Sequence, residues 1–233
     1  MIRHITYTDQ NMTISAEKCQ VSAIKYGCDE SVIMEYRDLD YKFRSKNWQI
    51  LDMPRGCGYW IWKPQAIVQQ FRTMHKGDLV IYTDAGVEFI KPVQLLLPEM
   101  DEFCMFFGGQ YKHHEWCKGD ILQPDHIGKN QLQASAMIFK VCDESIDFLH
   151  EWLNICEVPS FIDDSPSIKP NHPDFREHRH DQAILTSLQL SMGIKSHYWP
   201  ANYLEGKFEY PRLDHTDKYP VIFHHHRKRN NEW

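Results

Sequence analysis

The 233-residue chain has no long apolar run, no paired cysteine motif and no excess of basic residues. Each lack removes a class of protein. No stretch approaches the roughly 20 apolar residues needed to cross a bilayer. The start, MIRHITYTDQ, has neither the basic opening nor the apolar middle of a secretory signal. A soluble, cytoplasmic protein with no transmembrane segment is predicted. The seven cysteines, Cys19, Cys28, Cys57, Cys104, Cys117, Cys142 and Cys156, form no CxxC pair and lie inside apolar patterns. They read as reduced core thiols rather than as a zinc site or a disulfide set. Lys and Arg total 26 against 32 Asp and Glu, for a net charge of -6, and the only basic run is the short HHHRKRN. No nucleic-acid partner is expected. Internal repeats and low-complexity segments are absent as well.

What is present is the composition of a folded globule, 42% hydrophobic and 13% aromatic, enough for one sizeable core at this length. Strand and helix patterns alternate along it. HITYTD (4–9), SVIMEY (31–36), the apolar run of DLVIYTDAG (78–86), FCMFFGG (103–109), ASAMIFKV (134–141) and YPVIF (219–223) read as strands. Helices are predicted over 13–27, with Ala16, Cys19, Ala23 and Ile24 on one face, and from Pro64 to His75. Two more are predicted over 143–156 and 181–193, the last with Ile184, Leu185, Leu188 and Met192 inward. Residues 157–180 are proline-rich, polar and too long for an ordinary connection, a candidate lid or substrate loop. The alternation implies an α/β fold: one Rossmann-like domain with a mostly parallel central sheet and helices on both faces. Such sheets bind ligands beyond the carboxyl ends of their strands.

Two strands end there in the same tripeptide, Tyr7-Thr8-Asp9 and Tyr82-Thr83-Asp84. A carboxylate at the mouth of a buried strand can hold a divalent cation or a ribose hydroxyl, and Ala85 and Gly86 leave room for a ligand against the backbone. The same residues also suit a simple turn. In RGCGYWIWKP, Gly56 and Gly58 permit a tight backbone, and Tyr59 and Trp60 offer flat faces. Arg55 and Lys63 bring positive charge, Lys63 at a helix start that already favours anions; Trp62 reads as core or wall. In HRHDQAIL, Asp181 and Gln182 open a helix, where Asp181 is either its cap or a functional carboxylate.

In order and spacing, GYWIWKP, GDLVIYTDAG, QASAMIFK and RHDQAIL resemble the nucleotide-diphospho-sugar glycosyltransferases of GT-A fold. The likeness is strongest to the small ones of surface-polysaccharide gene sets in bacteria and large viruses, and it runs from Ile5 to about Asn231. It implies a single domain over 1–233, with a nucleotide-binding half (1–100) and an acceptor and catalytic half (101–233) closed by the 157–180 loop and the C-terminal tail. It further implies a donor sugar linked to UDP or GDP and a glycan hydroxyl as acceptor.

Manganese or magnesium is the implied cofactor, held by an acidic motif that is usually Asp-x-Asp. Asp84 is its first acid, but Gly86 stands at the second. In resembling retaining families a histidine after the last strand completes the metal site. Here His224, His225 and His226 occupy that point, with His224 the first choice because it follows the strand directly and His226 beside it. Otherwise the diphosphate must be met by the chain's own cations, Arg227, Lys228 and Arg229. The TYTD end and the stretch from Arg55 to Lys63 would hold the nucleoside. Gln133, Ala134 and Ser135 would touch donor or acceptor, and Trp116, Lys118 and Asp120 a sugar. The resemblance carries the catalytic role to Asp181 and Gln182, as in the Asp-Gln pair of glycogenin-like and bacterial galactosyltransferase families. Retention is favoured over inversion. Arg179, His178 and His180 either orient Asp181 or line the loop. Two rival readings are a non-catalytic carbohydrate- or nucleotide-binding domain and a metal-dependent hydrolase. The alternating pattern speaks against the first, and the lack of HxH or Asp-x-Asp-x-Thr groupings against the second.

Overall fold

A strand with apolar residues at consecutive positions must be covered on both faces, and Leu79–Thr83 (β3) is such a strand: Val80, Ile81 and Tyr82 are all fully buried. The computed structural model describes residues 1–203 and 218–233. β3 lies beside β1 (Ile2–Tyr7), which pairs in parallel with it and with β2 (Glu30–Met34). On its other side β3 pairs antiparallel with β6 (Asn130–Lys140), which is antiparallel in turn to β5 (Cys104–Lys112). β7 (Ser196–Tyr198) runs parallel to β5. The order is β2-β1-β3-β6-β5-β7, so one strand of this sheet, β6, opposes the other five. β4 (Val87–Phe89), β9 (Phe223–His225) and β8 (Ala201–Tyr203) form a second, three-stranded sheet in the order β4-β9-β8.

Strand side chains alternate between faces, and the core divides accordingly. Val80, Tyr82, Phe106, Met137 and Phe139 pack towards the helices Trp62–Gln70, Asp143–Cys156 and His180–Ser191. Ile81, Met105, Phe107 and Ile138 pack towards the helix Thr13–Lys25 and the small sheet, through Cys19, Ala23, Phe89 and Phe223. Helices thus cover both faces of a mostly parallel sheet. All seven cysteines are unpaired, and five of them are buried. No helix among the described residues is long and apolar enough to cross a membrane.

The differences from the sequence reading have local causes. The strand expected over YPVIF begins only at Phe223. Pro220 has no N–H for a ladder, and the N–H groups of Ile222 and Phe223 instead donate to the Pro200 carbonyl. The helix expected from Pro64 to His75 starts at Trp62 and tightens into a 3-10 turn at Phe71–Thr73. Proline fits its first turn, where the N–H groups have no intrahelical acceptor. Ile24 and Met192, expected inward, are exposed. Ala16, Cys19 and Ala23 define the buried face of the first helix and leave Ile24 at its edge, whereas Met192 follows the last helical turn.

Several buried histidines are held neutral. His4 sits between the Ser31 and Thr83 hydroxyls at 2.7 and 2.8 Å, and burial lowers its pKa to about 3. Burial lowers His113 to about 3 and His178 to about 4. The unfolded chain protonates such groups near pH 6.5, so below that pH it binds more protons than the folded one. Their contribution to stability is complete above pH 6.5 and is lost as pH falls towards 4, at up to roughly 1.4 kcal/mol per histidine per pH unit. Denaturant midpoints followed from pH 7.5 to pH 4.5 should therefore decline steeply; a flat profile would mean that these imidazoles reach solvent.

Candidate active site

A cleft of about 420 Å³ opens beyond the carboxyl ends of β1 and β3. Its parts come from distant stretches of sequence. β1 delivers Tyr7 and Asp9, β3 delivers Asp84 with Ala85 and Gly86, and the opposed β6 brings Gln133, Ala134 and Ser135 to the same end. The backbone N–H of Asp84 donates to the Ser135 carbonyl at 2.9 Å. Arg55, Trp60 and Lys63 line one wall, the helix start with Asp181 and Gln182 another, and Arg227 the C-terminal side.

At the floor, one ammonium joins two carboxylates. Lys63 Nζ lies 2.9 Å from Asp181 Oδ2 and 3.5 Å from Asp84 Oδ1, and donates to the Ala134 carbonyl at 3.1 Å. The Tyr82 hydroxyl donates to Asp84 Oδ1 at 2.6 Å. The Lys63 and Asp181 side chains are only 3% and 5% exposed, whereas that of Asp84 is 36% exposed and reaches the cleft. Burial works against the Lys63 charge, but Asp181 and Asp84 outweigh it and hold the lysine above its ordinary pKa. Burial pushes Asp181 up to about 6, with Lys63 pulling in the other direction. The buried Trp152 fixes this corner by donating its Nε1–H to the Asp181 carbonyl at 3.1 Å.

The surrounding backbone is strained. Among the described residues, five that are not glycine have positive φ: Cys57 (51°), Tyr59 (53°), Trp60 (61°), His180 (46°) and Arg227 (56°). Four line the cleft, and the ring of the fifth, Tyr59, lies 4.9 Å from that of His180. Such conformations cost about 1–3 kcal/mol each and concentrate where function holds them. Gly58 relieves the first turn: a Cβ there would lie 2.7 Å from Leu51 Cα. Trp62 is wall, stacked on Tyr7 with centroids 3.8 Å apart, its indole N–H donating to the Gly56 carbonyl at 3.0 Å.

Other residues singled out in the sequence do not line the cleft. Thr8 and Thr83 are buried behind it, Thr83 bonded to His4. Lys228 lies over the Trp233 ring at 4.2 Å. Trp116, Lys118 and Asp120, expected at a sugar, stand elsewhere. Lys118 Nζ donates to the Ser160 carbonyl and pairs with Asp163 at 3.1 Å, and Asp120 accepts the Ile168 and Lys169 N–H groups. They fasten the 157–180 segment, which contains a short helix, Pro159–Ile162. Arg55 fastens it from the cleft side by pairing with Asp164 and Glu177.

The metal residues expected in the sequence do not converge. Because the last strand is Phe223–His225, the histidines alternate across it, and His225, not His224 or His226, borders the cleft. His224 lies opposite Glu88 in the small sheet, and His226 Nε2 is 3.5 Å from Glu88 Oε1. His225 Nε2 accepts from Arg227 Nε at 3.2 Å, and burial together with Arg227 lowers its pKa to about 3. Gly86 cannot be an acid here, since a Cβ on it would lie 2.8 Å from Arg227 Cα. Among the described residues, the set of three His, Cys, Asp or Glu side chains close enough to share an ion is His114, His172 and Asp174, none of them on the cleft. Nδ1 of both histidines in that set accepts a backbone N–H. Asp84 with one engaged oxygen, beside an ammonium, does not fit the oxygen-rich shell that manganese or magnesium takes.

Met12, Cys57, Tyr82, Arg179, His180, His225 and Arg229 also line the cleft. Of these, Tyr82 was hidden by its place in an apolar strand. Five cations, Arg55, Lys63, Arg179, Arg227 and Arg229, face three carboxylates, Asp9, Asp84 and Asp181. Arg55 also pairs with Asp164 and Glu177, and Arg179 with Glu177, so the guanidiniums of the cleft that pair with no carboxylate among the described residues, where an anion would be met, are those of Arg227 and Arg229.

The architecture matches solved glycosyltransferases. One is the bifunctional glycosyltransferase WbbM in its apo form: TM-score 0.54 and 11% identity, over 87% of this chain and 40% of that one. Another is mouse xyloside xylosyltransferase 1, also apo: TM-score 0.52 and 12% identity, over 100% of this chain and 98% of that one. The chain has a GT-A-type glycosyltransferase fold. It spans well under half the length of WbbM. No family model and no curated protein sequence matches it.

Two substitutions test the construction of this cleft. Lys63→Gln leaves Asp181 buried without its counter-ion, which should cost about 3–5 kcal/mol and lower the melting temperature markedly. Gly86→Ala pushes a methyl into the Arg227 backbone and should cost about 1–3 kcal/mol; unchanged melting would show that the C-terminal segment does not cross there.

Proposed function

We propose that the chain is a glycosyltransferase that moves a sugar from a nucleoside diphosphate, UDP or GDP, to a hydroxyl of a glycan in polysaccharide synthesis. The observation that carries the reading is the Asp84–Lys63–Asp181 cluster at the floor of a cation-rich cleft in a GT-A fold. Residues 1–100 supply the nucleoside side, with Tyr7 stacked on Trp62 beside Asp9. Residues 101–233 supply Asp181, the acceptor side and the C-terminal wall. Asp84, the partly exposed acid, suits ribose or sugar hydroxyls.

Asp181 is the proposed catalytic carboxylate. Lys63 keeps it charged at neutral pH, and its burial removes the water that would screen it. A buried carboxylate that is charged at neutral pH can stabilise positive charge growing at the anomeric carbon, and retention is the stereochemistry proposed. Gln182 is oriented by its Nε2 donating to Gln131 Oε1 at 2.9 Å.

Asp181→Asn should reduce transfer by more than about a hundredfold, with nucleotide binding by calorimetry close to that of the unaltered chain. Full activity in this variant would remove Asp181 from the mechanism. With Asp181 near 6, transfer should fall about tenfold per pH unit below pH 6, and the product anomer, read by NMR, should keep the donor's configuration.

A further inference from the structure

Two guanidiniums on the cleft wall, Arg227 and Arg229, are exposed and pair with no carboxylate among the described residues. Arg227 is held in place by the acidic motif itself: the Gly86 carbonyl accepts the N–H groups of His226 and Arg227 at 2.9 and 3.2 Å. The backbone of a cationic residue therefore fills the space that the side chain of a second acid would need. Asp84, the acid that remains, has Oδ1 engaged by the Tyr82 hydroxyl and lies 3.5 Å from the Lys63 ammonium. A divalent ion there would gain one carboxylate, with one oxygen already engaged, and be repelled by the Lys63 ammonium beside it.

On this ground, and resting on the glycosyltransferase reading above, we infer that the cleft binds the donor's diphosphate without a divalent metal, through Arg227 and Arg229. Guanidinium groups stay charged at every working pH and grip phosphate oxygens in a two-pronged geometry. They neutralise the leaving nucleoside diphosphate directly, where the metal of an Asp-x-Asp site would otherwise do so.

The test is calorimetry of the full chain with UDP and with GDP, each in EDTA and in manganese chloride. One nucleotide should bind with a Kd that differs by less than about threefold between the two conditions. Arg227→Gln should weaken it about tenfold or more in both, and Arg229→Gln, on an exposed residue whose loss should not disturb folding, should weaken it too. Arg227→Lys should restore the affinity only in part. Binding that appears only with manganese, or that neither substitution changes, overturns the inference and leaves the donor reading standing. If neither nucleotide binds under either condition, the donor reading falls and the inference with it.

Discussion

A single ammonium, that of Lys63, bridges two carboxylates carried by different elements, and the geometry of the cleft depends on it. Asp84 is fixed by the end of a central strand and Asp181 by the first turn of a helix. Taking the Lys63 and Asp181 charges out of water is expensive, and their mutual attraction repays it only when the geometry is close and the remaining polar atoms are satisfied. The Tyr82 hydroxyl, the Ala134 carbonyl and the Trp152 indole contribute here, each from a buried element. The cluster therefore locks β3, β6 and two helices in register at the point where a substrate would enter.

The sheet was largely legible in the sequence, because LVIYT, CMFF and AMIF are short apolar runs with β-branched or aromatic residues, the mark of strands buried on both faces. Alternating burial then assigned their side chains to two cores. Strand direction was less legible: nothing in the composition of β6 says that it opposes its neighbours. Of the site, the residues fixed by regular elements converge, namely Tyr7, Asp9, Lys63, Asp84, Ser135 and Asp181. The residues near the C-terminus do not follow simple expectation, because a shift of a few residues in the last strand exchanges which histidine faces the cleft. Lys118 and Asp120 misled for another reason. Their partners lie more than 40 residues downstream, in a segment whose path the sequence leaves open.

The strained turns and the fastened segment belong together. Trp60 and His180, both in left-handed conformations, approach each other edge to face at 5.6 Å. Arg55, one turn before Trp60, holds the 157–180 segment through Asp164 and Glu177. The wall bearing the aromatic residues and the loop leading to Asp181 are thus tied by the same contacts, so strain in one is supported by packing in the other.

The crossing of Arg227 over Gly86 bears on the order in which the molecule is made. Every strand of the central sheet precedes residue 200, so the scaffold can assemble while the ribosome is still at work. The cleft cannot be completed by that scaffold alone, because Arg227 and Arg229 on its wall follow the whole central sheet in sequence. Until the chain has emerged as far as Arg229, the floor at Asp84 stands open on that side.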